Sequence, residues 1–312
     1  MQLIRGLGGL ERLAGGCALT IGAYDGIHLG HQALIARLEE HARRLHRPAT
    51  LLTFEPTPRE YLSPADPPAR LTSLRERSGI LAALPLEYFW LLRFGEPLRN
   101  LSAEEFVQLL AREAAPAVIV VGHDFRFARK GEGSAETLVQ AGRRFGFDVD
   151  VLAPVTLDGE RVSSSAVRAA LACGDFARAQ RLLGRPWSMC GRVIAGDRRG
   201  RELGFPTANL PLERRRAPVR GIFAVRVHGI GAGPRAGVAS LGTRPTVDGS
   251  TWLLEAHVFD FQGDLYGREI EVEFVAKLRD EERFASLAAL AAQMQRDACE
   301  ARRILNGQKR ER

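Results

Sequence analysis

Two histidines three residues apart, His28 and His31, close the run Leu19 to His31, LTIGAYDGIHLGH. In that run a short apolar stretch breaks into glycines, Tyr24 and an acid, Asp25, before helical periodicity begins at Leu29. Histidines at a strand-to-helix junction can handle anions. The first helical N–H groups lack internal partners, the helix dipole turns its positive end outward, and two imidazoles add donors or charge to a triphosphate. Gly22 and Gly26 permit the sharp turn, and Gly30 lies between the histidines. A second stretch, Arg161 to Arg168 (RVSSSAVR), sets three hydroxyls at a helix start and puts Arg168 one turn beyond Ser164. That makes an anion clamp suited to a leaving pyrophosphate, although serines also serve simply as helix caps. A third, GHDFRFARKGEG, carries Asp124 with Phe125 and Phe127 in alternation among basic residues and glycines. Its composition suits a planar, phosphate-bearing ligand, while the two rings would serve equally as core plugs.

The second half of the chain offers different chemistry. In Gly191 to Leu210, GRVIAGDRRGRELGFPTANL, Gly196, Gly200 and Gly204 alternate with arginines, Arg201 among them, and lead into Pro206, Thr207 and Asn209. A glycine loop can fold over phosphates, and Thr207 and Asn209, two apart in an extended segment, point their oxygens the same way, as a Mg²⁺ bridge to ATP requires. No GxxxxGK[ST] occurs, and the lysines Lys130, Lys277 and Lys309 do not supply one, so phosphate binding here is not of the P-loop type. Along Trp252 to Phe261, alternation puts Glu255 on a face with Leu253, His257 and Phe259. A carboxylate there could act as a general base, taking the proton of a hydroxyl that attacks a γ-phosphate. An ion pair with an arginine is the competing explanation.

Those residues need elements to hold them. From Cys17 to about Ala170 short apolar runs alternate with helical patterns, the rhythm of a parallel sheet wrapped by crossover helices. Expected strands are Cys17 to Ile21, Ala49 to Phe54, Leu86 to Phe94, Ala117 to Val121 and Asp148 to Val155, with helices from about Leu29, Thr72, Ser102 and Ser134. Ser102 and Glu105 form a capping box. The second strand exits through FEPTPREYL, where Pro56 and Pro58 should stiffen the turn and present Glu55 and Arg59 to one edge. Ligands of such sheets bind beyond the C-terminal strand ends, where all of these segments fall. A helix from Asp175 to Leu183 ends at Gly184, which sets the domain boundary and divides the chain into 1–184 and 185–312. Beyond Trp187 the pattern becomes alternating, with strands Ile222 to His228, Ala236 to Leu241, Trp252 to Phe261 and Glu269 to Val275, an antiparallel barrel or sandwich. A final helix, Phe284 to Leu305, should pack on it through Leu287, Leu290, Met294, Ala298 and Ala301.

Composition bounds the partners. At 312 residues, 45% hydrophobic and 26% charged, the chain suits an ordinary soluble globular protein long enough for two domains. The net charge of +7 comes from dispersed arginines rather than an aromatic-interleaved basic strip, so nucleic acid is not an expected partner. Cys17, Cys173, Cys190 and Cys299 show no metal-binding spacing and read as reduced, mostly packed thiols. With no signal-like N-terminus and no long apolar run, a cytoplasmic protein without a membrane role is expected.

GAYDGIHLGH, FEPTPREYL, GHDFRF and SSSAVR, in this order, resemble the adenylyltransferase module of bacterial bifunctional riboflavin kinase/FAD synthetases. GRELGFPTANL, SLGTRPTVDG, LEAHVFDFQGDLYG and KLRDEERF resemble the riboflavin kinase module of the same family, and the two resemblances cover almost the whole chain. They imply a Rossmann-like nucleotidyltransferase domain at 1–184 and a β-barrel kinase domain with a C-terminal helix at 185–312. The implied chemistry is riboflavin plus ATP to FMN, then FMN plus ATP to FAD and pyrophosphate, with Mg²⁺ accompanying ATP. By resemblance His28 and His31 stabilise the triphosphate, Ser164 and Arg168 hold nucleotide phosphates, and Asp124 positions ATP or FMN. Thr207 and Asn209 carry MgATP, Glu255 is the base for the ribityl 5′-hydroxyl, and Arg279 with Phe284 borders the flavin. Tyr24, Thr57, Ala128 and Ser165 depart from the family's usual Phe, His, Gly and Thr. The competing readings are a degenerate nucleotide- or RNA-binding regulator and an enzyme active only in its kinase half.

Overall fold

The computed structural model of the chain describes residues 1–196, 200, 203–246 and 249–307. It divides into two compact units, Met1–Pro68 with Leu74–Ser163, and Ala69–Ser73 with Ser164–Arg312.

Long apolar runs give the first unit its parallel sheet. Its strands are β1 (Gln2–Arg5), β2 (Cys17–Ile21), β3 (Ala49–Glu55), β4 (Tyr88–Arg93) and β5 (Pro116–Gly122). After a two-residue antiparallel pair, β6 (Arg126–Phe127) and β7 (Gly133–Ser134), comes β8 (Asp148–Leu152). A second short pair, β9 (Thr156–Leu157) and β10 (Glu160–Arg161), follows. The sheet order is β1-β4-β3-β2-β5-β8 and every pairing in it is parallel. Helices α1 (Leu29–Leu45), α2 (Pro58–Leu62), α3 (Leu74–Ala82), α4 (Glu96–Arg99), α5 (Ala103–Ala114) and α6 (Ala135–Phe145) complete the unit.

Alternation along the strands splits the core in two, because successive side chains leave opposite faces of a sheet. Leu19, Ile21, Leu52, Phe54, Ile119 and Val121 pack with Phe106 and Leu110 of α5 and Leu138 of α6. Ala18, Leu51, Phe89, Val118 and Val120 pack with Ile35 and Leu38 of α1 and Leu81 of α3. A sheet covered on both faces has strands that read as apolar runs, which is why β2, β3, β4 and β5 are visible in the sequence, whereas the edge strand β8 shows by the alternation DVDV. The sixth, β1, lies at an edge with only Ile4 of its four residues buried, and carries no such signal.

Some expectations are corrected. The segment after β3 is not a plain stiff turn. Pro58 starts α2, and Glu55 turns to the buried Arg77 instead of an open edge. The second expected crossover helix starts at Leu74 rather than Thr72, and the last strand stops at Leu152. Among the cysteines only Cys17 is fully packed. Its thiol donates to the Ala114 carbonyl, and burial pushes its pKa to about 12, against a smaller opposing bond from Thr50. Cys190 is half-buried, and Cys173 and Cys299 are exposed.

The second unit begins with α7 (Ser164–Ala172) and α8 (Phe176–Leu183), the latter capped by Asp175 and ended by Gly184 in a left-handed conformation. Phe176 of α8 joins Trp187, Phe223 and Phe274 in one aromatic cluster, which ties the helix to the barrel. The barrel strands are β11 (Ser188–Arg192), β12 (Ala208–Pro211), β13 (Gly221–His228), β14 (Arg235–Thr246), β15 (Gly249–Val258) and β16 (Glu269–Arg279). They run antiparallel in the order β11-β16-β13-β14-β15-β12. A bridge between Ile194 and Asn209 brings the chain beyond β11 back to the other edge, so the sheet closes.

Residues 69–73 are bound into this unit. Arg168 Nε donates to the Ala69 carbonyl, Arg214 to the Arg70 and Leu71 carbonyls, and Trp187 Nε1 to Leu71. The C-terminal helix, Leu287–Gly307, packs through Ala298, Ala301 and Leu305 against Ala224 and Phe259. Leu287, expected on that face, is 70% exposed. The helix begins three residues later than expected, and only its second half reaches the barrel.

Candidate active sites

In the first unit β2 delivers the chain to a loop that ends at the N-terminus of α1. His28 is the N-cap, and its Nδ1 accepts from the His31 backbone N–H at 3.3 Å. An accepting Nδ1 leaves Nε2 to carry the proton of the neutral ring. The two rings stack with centroids 3.7 Å apart, and Tyr24 lies 4.8 Å from His31. The sequence therefore paired these residues correctly, and the helix turn brings both imidazoles to one helix start.

Gly30 is there for space. A Cβ on it would stand 3.1 Å from His28 Nδ1, so a side chain would press on the imidazole. Gly26 takes the positive φ of the turn at 89°, whereas Gly22 leaves room for the Tyr24 ring, 3.0 Å from where its Cβ would be. Thr20 donates its hydroxyl proton to the Val120 carbonyl at 2.7 Å, so the Tyr24 hydroxyl is the donor in its 2.5 Å bond to Thr20. Burial raises the Tyr24 pKa and the Thr20 bond opposes this only in part. That phenol is a structural donor. Asp25 is buried in the same loop, 6% exposed.

One residue of this site went unread in the sequence. Arg77 of α3, 1% exposed, donates to the Ala23 carbonyl at 2.7 Å and to Glu55 at 2.7 Å, and so ties the histidine loop to the end of β3. Its sequence neighbourhood, LRERSG, looks like an ordinary solvated helix. Thr57, where the family commonly has His, is buried and donates its N–H and hydroxyl to Glu60, serving α2.

In the loop after β5, Asp124 pairs with Arg161 at 2.5 Å. Partial burial would raise its pKa, but the hydrogen bond and charge of Arg161 outweigh it and hold the carboxyl below its usual range. Phe125 and Phe127 stack at 5.5 Å. Phe127 is a core residue, 7% exposed and packed on Phe106, while Phe125 is partly exposed at the edge of that cluster. Of the two readings of Phe127, the core plug is the one observed. Ser164 and Arg168 stand on the first turns of α7 in the second unit.

The barrel gathers the second set. β12 and β15 pair antiparallel with Asn209 opposite Glu255, and β14 sets Ser240 opposite Glu255 from the other side. Residues directly opposite share a face, so Asn209, Glu255 and Ser240 lie side by side. The other face holds Leu210, Leu254 and Ala256, all buried. Glu255 thus stands on the half-exposed side of its strand rather than among apolar neighbours, and Phe259, beyond the strand end, is in the core.

Asn209 is 6% exposed, its Nδ2 donates to the Thr207 carbonyl at 3.2 Å, and its Oδ1 is buried without a hydrogen-bond partner among the described residues. Gly196 lies against it, since a Cβ there would stand 2.5 Å from Asn209 Nδ2. The Pro206 carbonyl accepts from His257 Nδ1 at 2.8 Å, which fixes that ring's tautomer and anchors the segment before β12. Gly204 has φ 81°. Arg201, assigned to phosphate, lies outside the described residues. Glu255 is paired: Arg244 Nη2 donates to its Oε1 at 2.9 Å. Arg279 lies over the Phe284 ring at 5.6 Å and makes a forked bond to the buried Asp297 of the C-terminal helix. That bond, before any other influence, holds its pKa above the ordinary arginine value.

A parallel α/β unit with a histidine pair at a helix start, joined to an antiparallel barrel carrying an asparagine–glutamate pair with Gly196 against the asparagine, defines a two-module nucleotide-dependent transferase. Residues 11–166 match the family model described as FAD synthetase, and residues 183–305 the one described as riboflavin kinase. The bifunctional riboflavin kinase/FMN adenylyltransferase of Escherichia coli K12 is 45% identical over 304 residues, covering 97% of each chain. Proteins of the same name from Pseudomonas fluorescens and Haemophilus influenzae are 45% and 41% identical, with 97% and 98% of this chain covered and 98% and 100% of theirs. A solved structure named as a macrolide-efflux protein of Streptococcus pneumoniae aligns with TM-score 0.78 at 30% identity, covering 95% of this chain and 97% of that one. The efflux name is that protein's. Among the described residues no helix is long and apolar enough to cross a membrane. The chain belongs to the family of bifunctional riboflavin kinase/FMN adenylyltransferases.

Proposed function

We propose that this chain makes FAD in two ATP-dependent steps, phosphorylating riboflavin to FMN in the barrel module and adenylylating FMN to FAD, with release of pyrophosphate, in the histidine module. The observation that carries the reading is the cross-strand pair Asn209–Glu255, because it sets a candidate metal ligand beside a candidate base on one face. The buried, unpartnered Asn209 Oδ1 and the Thr207 hydroxyl are hard oxygen donors of the kind Mg²⁺ takes, so the residues fit the cation that accompanies ATP. Bound there, it would neutralise charge on the phosphates.

In the kinase step the ribityl 5′-hydroxyl oxygen forms a bond to the γ-phosphorus as the bridge to the β-phosphate breaks. Glu255 accepts the hydroxyl proton and ADP leaves. The glycine loop from Gly196 to Gly204, with Pro206, cradles the phosphates, and Arg279 and Phe284 border the flavin. In the second step the FMN phosphate attacks the α-phosphorus of ATP and pyrophosphate departs, with alignment and charge stabilisation as the catalytic requirements. His28, His31 and the first N–H groups of α1 receive the triphosphate, with Gly22, Tyr24, Asp25 and Gly30 shaping the loop. Ser164 and Arg168 are assigned to nucleotide phosphates, and Asp124 and Phe125 to FMN or ATP, on the family resemblance. The substrates are small molecules, and we assign no nucleic-acid or membrane partner and a cytoplasmic location.

Glu255→Gln is the direct test. FMN formation from riboflavin should fall by about 10²–10⁴-fold, the usual contribution of a general base, while FMN-to-FAD conversion stays within about twofold. Chromatography of the flavins reads both rates in one sample. Equal loss of both steps in a folded variant would remove the division of labour.

A further inference from the structure

The carboxylate assigned as the kinase base is held by a guanidinium. Arg244 and Glu255 are not opposite one another, because Glu255 faces Ser240 while Arg244 faces Thr251, four residues along β14. The arginine therefore extends along the face past Gly242, where the Glu281 carboxylate fills the space a Cβ would take, to reach Glu255 Oε1 at 2.9 Å. Both side chains are partly open, Arg244 40% and Glu255 26% exposed, so a substrate can reach the pair.

A static pair makes poor sense for a base. A guanidinium stays charged at any working pH, and its N–H occupies the Glu255 Oε1 oxygen that would otherwise take a substrate proton. The same face carries Asn209, whose buried Oδ1 is the candidate ligand for the cation on ATP, so the triphosphate and the Arg244 fork would meet beside Glu255. A triphosphate carries several negative charges against one on Glu255, and the planar fork of arginine suits phosphate oxygens as well as carboxylate ones. Lys277, the lysine of the barrel strands, is tied to Asp280 at 2.6 Å.

We propose that Arg244 is a catalytic residue of the kinase step, holding Glu255 until ATP is in place and then passing its hydrogen bonds to the transferring γ-phosphoryl group. The exchange does two things at once. It frees Glu255 to take the 5′-hydroxyl proton as the new O–P bond forms, and it puts positive charge where the bond to ADP breaks. The exchange also links access to the Glu255 oxygen to nucleotide occupancy. The inference rests on reading Glu255 as the base, and its test is separable from that reading.

The experiment uses the full chain with Arg244→Gln and Arg244→Lys. For Arg244→Gln, kcat for riboflavin phosphorylation should fall by about 10²–10³-fold, as for loss of one transition-state donor, with the riboflavin KM within about threefold. Affinity for MgADP should hold, while the extra affinity gained when aluminium fluoride and riboflavin are added as a transition-state mimic should vanish. Arg244→Lys, which keeps the charge and loses the fork, should recover about tenfold of the rate. FMN-to-FAD conversion by the same molecules reports folding. If Arg244→Gln loses that conversion too, Arg244→Lys decides by the same two readouts. Unchanged or raised kcat, or MgADP affinity falling in step with kcat, would overturn the proposal. A Glu255→Gln variant with full kinase activity would instead remove the base assignment, leaving the mimic-binding result to judge Arg244 alone.

Discussion

Ala128 sits at φ 64° and ψ −170°, a backbone state that belongs almost entirely to glycine. The family resemblance puts glycine there, and the structure shows what the departure does: it leaves a Cβ in a strained conformation. Such strain costs on the order of 1–3 kcal/mol, and glycine's greater freedom in the unfolded chain returns about 0.5–1 kcal/mol of that. Ala128→Gly should therefore raise stability by about 1 kcal/mol. Urea melts of the two proteins would show it, and a lower midpoint for the glycine variant would refute the strain. Legibility at this scale follows the range of the interaction. His28 with His31, and Thr207 with Asn209, are close in sequence and readable from spacing. Arg77 and Arg244 are not, because their partners are set by a crossover helix and by the register between two strands. The possibility that an arginine claims Glu255 was legible; that Arg244 is the one needed the β14–β15 pairing.

For the elements, buried parallel strands announce themselves as apolar runs, and capped helices by their first turns. Ser102 with Glu105, the helix start near Ser134 and the stop at Gly184 all stand as read. Edge and closure elements are harder. β1 and β11 bury one residue each and β12 is only four residues long, while the C-terminal helix meets the barrel through Ala298 and Ala301 of the expected face, in its second half, so Leu287 in the first turn stays exposed. The junction of β2 with α1 is where element and function meet. A helix start leaves its first N–H groups without intrahelical partners, and His28 Nδ1 takes that of His31, so the histidines add to an anion site that the backbone already begins. Replacing both His28 and His31 by alanine should let FMN accumulate from riboflavin while FAD formation falls by about 10²-fold or more. FAD appearing at the normal rate would remove the histidines from the mechanism.

Taking the molecule as a whole, the two family matches and the two compact units agree on a bipartite chain but place the seam differently. Family matching ends the first module at residue 166 and starts the second at 183, with the expected boundary at Gly184. Structurally, α7 and α8 belong with the barrel, fastened by Phe176 in its aromatic cluster, so a fragment 185–312 would leave Trp187, Phe223 and Phe274 uncovered on that side. A fragment 164–312 should melt at a higher temperature than 185–312 when the two are compared by circular dichroism. The reverse order would mean that these helices are not part of the barrel's fold.

Even the longer fragment is incomplete. Arg214, buried in the barrel unit, spends its guanidinium on the carbonyls of Arg70 and Leu71, and Trp187 spends its indole N–H on Leu71. Those acceptors are made 116 to 144 residues earlier in synthesis than the barrel donors that need them. The kinase unit is thus discontinuous in the gene, and no single cut yields both catalysts whole. Stitching residues 69–73 back onto the kinase piece, for example through a permuted chain, is what separating the two activities would take.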